Sequence, residues 1–117
     1  IALSSGASPG SEAETRTLIK CVQQLQPKTV ISLHAPLACI EDPQSSPLAQ
    51  WAAAQVKLPL VPNVGYATPG SFGTWCAEQD INIITWELPS ESLADMIASH
   101  TPVLFKLITG DYESELS

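Results

Sequence analysis

Two titratable residues stand at equivalent places along the chain. His34 follows the β-branched run Thr29-Val30-Ile31-Ser32-Leu33, and Glu87 follows Asn82-Ile83-Ile84-Thr85-Trp86. A proline-containing loop begins directly after each, Ala35-Pro36 in one case and Leu88-Pro89 in the other. In open α/β sheets the loops and helix N-termini converge at the C-terminal edge of the strands, and ligands bind there. An imidazole and a carboxylate at that rim could act as a metal ligand and a general base. A structural reading stands beside this one: a strand-end histidine packs or hydrogen-bonds, and a glutamate before Leu-Pro is solvated. One histidine does not hold a catalytic zinc, which takes three protein ligands and a water, and the chain has no HExxH pair.

Other candidates are weaker. Tyr66 lies in the turn-rich stretch Gly65–Gly70, where its hydroxyl could swing toward a ligand or its ring could pin the loop. His100, beside Thr101-Pro102, reads as a surface or core residue. Glu41-Asp42 reads as a solvated loop, with lining of a site as the alternative. A serine nucleophile is excluded by the lack of a GxSxG elbow. Gly70-Ser71-Phe72-Gly73 is no phosphate loop, because it has neither the Walker lysine nor the dinucleotide-binding glycine spacing.

The elements that must position these residues alternate. Ser11-Glu12-Ala13-Glu14 has the form of a capping box, and Leu18, Val22 and Leu25 continue it at helical spacing until Pro27 stops the helix. The first strand is Thr29–Leu33. A loop follows, and then Ser46-Pro47 caps a helix with Leu48, Trp51, Ala52 and Val56 on one face. The prolines of Leu58-Pro59-Leu60-Val61-Pro62 confine that segment to a sheet edge or an extended stretch. Ser71 can cap a short helix through Trp75 and Cys76, and Asn82–Trp86 is the second clear strand. A last helical region starts near Ser90, is kinked or divided by Pro102, and closes at Gly110. The tail 111–117 is acidic and expected to fray. Apolar strands separated by helices predict an α/β fold with a largely parallel sheet.

Composition narrows the function. Five Lys+Arg against twelve Asp+Glu give 117 residues a net charge of −7, which disfavours a nucleic-acid backbone or an anionic membrane as partner. With 44% hydrophobic residues the chain can fold, yet no run approaches the ~18 apolar residues of a membrane span. No basic, apolar leader precedes the first helix. The three cysteines, Cys21, Cys39 and Cys76, lack zinc-knuckle spacing and read as buried thiols, with a Cys39–Cys76 bridge as the alternative. The chain opens at Ile1 in an apolar triplet, as a piece of something longer would.

Several stretches together resemble the zinc metallocarboxypeptidases of the M14 type, and most closely their bacterial murein peptide amidase A branch. They are Gly10–Thr15, Val30–His34, Pro36–Pro43, Val64–Cys76 and Ile84–Glu87, colinear over most of residues 6 to 90. The resemblance implies a carboxypeptidase-like α/β fold, here part of a three-layer sandwich with helices on both faces of a mostly parallel or mixed sheet. It implies that His34 is the third zinc ligand, Glu87 the catalytic carboxylate and Tyr66 the mobile-loop tyrosine that closes over substrate. No charge near Phe72-Gly73-Thr74 answers a basic side chain on the leaving residue.

The resemblance further implies a cytoplasmic enzyme of cell-wall recycling that cleaves the γ-D-glutamyl–meso-diaminopimelate bond of murein peptides. The family's His-x-x-Glu motif and its carboxylate-gripping arginines have no counterpart here, and Ala13 stands where the family has proline. Residues 1–110 then correspond to the C-terminal half of a catalytic domain that carries one of three zinc ligands. Its partners would be a murein peptide and the N-terminal half of the same domain, with self-association through an open sheet edge. The alternative is a non-catalytic α/β interaction module in which His34 and Glu87 are structural.

Overall fold

The computed structural model describes residues 13–63 and 72–116. Its elements are α1 (Ala13–Leu25), β1 (Thr29–His34), β2 (Cys39–Glu41), α2 (Pro47–Val56), β3 (Leu60–Val61), α3 (Phe72–Glu78), β4 (Asn82–Glu87) and α4 (Leu93–Thr109), then a 3-10 turn over Asp111–Glu115. The strands form one sheet in the order β1-β4-β2-β3. β2 runs antiparallel to β4 and parallel to β3, so the sheet is mixed and the fold α/β. The expected cap at Ser11, the cap at Ser71 and the Tyr66 loop lie outside the described residues. No helix among the described residues is long and apolar enough to cross a membrane.

The chain divides into two compact units, residues 1–31 with 65–83 and residues 32–64 with 84–117. In the first, α1 packs against α3. Of the three apolar positions that announce α1, only Val22 is buried, while Leu18 is 47% and Leu25 79% exposed. Cys76 of α3 is fully buried, and that burial pushes its thiol up to about 11.

The second unit is built around β2, a segment whose sequence alone predicts loop. Three residues between Pro36 and Pro43 show no usable alternation, yet Cys39-Ile40-Glu41 sits inside the sheet and Ile40 is fully buried. Ile40 lies opposite Trp86 of β4 and beside Leu60 of β3, so tertiary pairing rather than local propensity makes this strand. Asp42, which follows it, is a second correction. It is 1% exposed rather than solvated. Its Oδ1 accepts from Gln44 N at 2.9 Å, an Asx turn, and its Oδ2 accepts from Ser46 N at 2.9 Å and Ser46 Oγ at 2.6 Å. Ser46 Oγ in turn accepts from Ala49 N at 3.3 Å, and Pro47 opens α2 as the sequence predicts. The small residues Ala49, Ala52 and Ala53, all buried, let α2 approach β2 and β3 closely. As expected, β3 is an edge strand.

α4 begins at the cap Ser92, whose Oγ accepts from Asp95 N at 3.1 Å, and runs through Pro102 as one helix rather than two. It stops at Gly110, whose φ is 83°. Nothing lies within 4 Å of where a Cβ would stand there, so handedness and not crowding favours glycine. The tail is also corrected. Rather than fraying, Asp111–Glu115 forms a 3-10 turn. Lys106 Nζ donates to Glu115 Oε2 at 2.8 Å and holds that carboxyl below its ordinary range. Tyr112 lies against Trp51 with ring centroids 5.7 Å apart. All three cysteines are free thiols, and Cys21 is exposed rather than buried.

Candidate active site

His34 and Glu87 are the last residues of β1 and β4, one position further into the strands than the sequence reading put them. β1 and β4 are hydrogen-bonded neighbours, and Leu88 N donates to His34 O at 2.7 Å. Strands that pair and meet at their C-terminal ends run in the same direction. In a parallel ladder this bond sets His34 level with Glu87, and level residues on neighbouring strands direct their side chains to the same face.

The two side chains differ in environment. His34 is exposed, and its Nε2 lies 2.8 Å from Ser32 Oγ, a residue on the same face of β1. That hydroxyl orients the ring and leaves Nδ1 for another partner. Glu87 is 5% exposed, and Leu37 N donates to its Oε1 at 3.5 Å, the long limit for such a bond. A carboxylate held away from bulk water by so weak a bond keeps lone pairs for a further proton donor. Across the sheet Glu87 pairs with Cys39. Burial first, then the negative charges of Glu87 and Glu41, push the Cys39 thiol up, so it stays protonated at neutral pH.

The face of β4 opposite Glu87 is anchored by residues that the sequence reading did not connect. Trp86 is fully buried, and its Nε1 donates to Nδ1 of His100 at 3.0 Å. His100 is 4% exposed, which settles its place in the core. A tryptophan one residue before a candidate catalytic carboxylate, with a histidine on the following helix, is the pattern that could have signalled this pair.

Among the described residues no three His, Cys, Asp or Glu side chains converge into a metal-binding group. The donors present therefore do not close a zinc site. Among the described residues, the rim offers the His34 imidazole and the Glu87 carboxylate, fewer groups than a zinc site takes.

No family model matches the chain. It is 52% identical over 89 residues to murein peptide amidase A of Escherichia coli (strain K12), a match covering 76% of this chain and 37% of that protein. To murein peptide amidase A of Vibrio campbellii it is 44% identical over 100 residues, covering 86% of this chain and 40% of the relative. Among solved structures, the murein-tripeptide amidase MpaA of Escherichia coli O157 superposes with a TM-score of 0.80 at 46% identity, over 87% of this chain and 43% of that one. The chain thus spans about two fifths of the length of the relatives it matches. Over that shared stretch, in sequence and in fold, it resembles murein peptide amidase A.

Proposed function

We propose that this chain is the part of a zinc-dependent murein peptide amidase that contributes His34 and Glu87 to the catalytic centre. The observation that carries the reading is the Leu88–His34 bond, which brings the two strand ends level at the rim where α/β sheets bind ligands. The likeness to murein peptide amidases along most of the chain supports the substrate class. In this reading residues 1–110 are the C-terminal half of an M14-type domain. His34 holds one zinc position, oriented by Ser32. The remaining ligands and the groups that grip the substrate carboxylate come from the rest of the domain, as the relatives' greater length allows.

Zinc, when bound, would polarise the scissile carbonyl and acidify a water. Glu87 would take the proton from that water and return it to the amine of the leaving diaminopimelate. Tyr66 would close over the bound peptide. The scissile bond would be γ-D-glutamyl–meso-diaminopimelate and the setting cytoplasmic recycling of the cell wall. The test is zinc titration of the complete protein. His34→Ala should weaken zinc affinity by more than about 100-fold, beyond what an outer partner of a ligand is worth. Unchanged affinity would remove His34 from the metal site.

A further inference from the structure

The buried His100 is used by no step proposed above, and its contacts define one chemical state. An indole N–H can only donate, so Nδ1 of His100, at 3.0 Å from Trp86 Nε1, must carry a lone pair. The neutral ring therefore has its proton on Nε2, which faces Glu91 Oε1 at 3.7 Å. An imidazolium, with hydrogens on both nitrogens, could not accept from Trp86. The two rings also meet edge to face, with centroids 5.9 Å apart and planes at 65°. Trp86 is thus held by a directional bond as well as by packing against Ile40, its partner in the sheet.

Alternation along a strand puts Trp86 and Glu87 on opposite faces of β4. Any rotation of the strand end that releases the indole therefore swings the carboxylate as well. We propose that His100 is a positioning residue for Glu87: by fixing the Trp86 indole to α4 it sets the orientation of the strand end that presents the carboxylate. This rests on the reading of Glu87 as the proton-transferring group. The structural reason for a histidine here is that a buried indole N–H needs an acceptor, and a leucine or phenylalanine would leave it orphaned.

The experiment compares variants of the complete protein on murein tripeptide, with rates expressed per folded, zinc-loaded molecule. His100→Phe should lower kcat about tenfold with KM nearly unchanged, since misplacing a catalytic group costs rate and not binding. His100→Asn, whose Oδ1 can stand where Nδ1 stood, should recover most of that loss. The double variant Trp86→Phe/His100→Phe should be no slower than the slower single one, because both remove the same bond. A kcat that is unchanged in His100→Phe, with only the melting temperature lowered, overturns the proposal. Glu87→Gln separates the two claims. If it stays active, the reading of Glu87 fails. If it is inactive while His100→Phe turns over normally, the positioning role alone falls. Should His100→Phe not fold, nitrogen NMR of the unmodified protein decides: the Nε2–H tautomer is expected, and an Nδ1–H tautomer or an imidazolium at neutral pH overturns the proposal.

Discussion

The β2–α2 corner and the β1 rim are finished in opposite ways. At the corner the chain turns on answered polar groups: Asp42 accepts three hydrogen bonds, Ser46 caps the helix, and Ile40 is sealed between β4 and β3. At the rim, β1 is the outer strand of the described sheet, Leu33 is 52% and Leu37 46% exposed, and His34 stands in solvent. α4 repeats the contrast within one helix. His100 and Val103 face the core, while Leu93 is 70%, Phe105 63% and Ile108 84% exposed. Completed networks hold the corner, whereas the β1 rim, where the proposed site lies, leaves apolar side chains uncovered.

That contrast can be broken first at the corner. Asp42→Ala removes a buried acceptor of three bonds and strands two backbone donors, so urea unfolding should show a loss of about 3 kcal/mol. A loss no larger than that of an exposed substitution would mean the corner is not what holds α2. Ser46→Ala should cost about 1 kcal/mol by the same measurement. On the open side, Phe105→Ser should change the stability of this chain by less than about 0.5 kcal/mol, because its ring already meets water. The same open side should make the chain self-associate, and a clean monomer in sedimentation at high concentration would contradict this.

Thiol labelling sharpens the comparison further. Exposed Cys21 should alkylate at neutral pH, whereas Cys76, with its thiol raised to about 11 by burial, should resist until the chain unfolds. The smallest effect concerns the turn after α4. The Glu115 carboxyl is lowered by Lys106, so its contribution is present above the ordinary glutamate range and is lost as pH falls through the lowered value. Lys106→Met should therefore lower the melting temperature slightly at neutral pH and not at all in acid.

Much of the frame was legible in the sequence because its signals are local. Ser46-Pro47, the β-branched runs of β1 and β4, and Gly110 each act within a few residues. What escaped depends on partners distant in sequence. β2 becomes a strand only because β3 and β4 flank it, and Asp42 looks solvated until its chain folds back as an Asx turn. The 3-10 turn needs Lys106 and Trp51 as docking partners, which composition read as a frayed acidic tail. For the site, the two strand ends were visible as positions, but their levelness is a property of register that no single strand encodes. The bond between Trp86 and His100 joins residues 14 apart, on a strand and a helix.

The central claim is that the carboxylate at the end of β4 moves the proton in murein peptide hydrolysis. It is tested most directly by Glu87→Gln in the complete protein, with murein tripeptide turnover and bound zinc measured on the same sample. The account predicts that turnover falls by at least about a hundredfold while zinc content and folding stay as they were. Turnover that persists at the unmodified rate with zinc in place would contradict it.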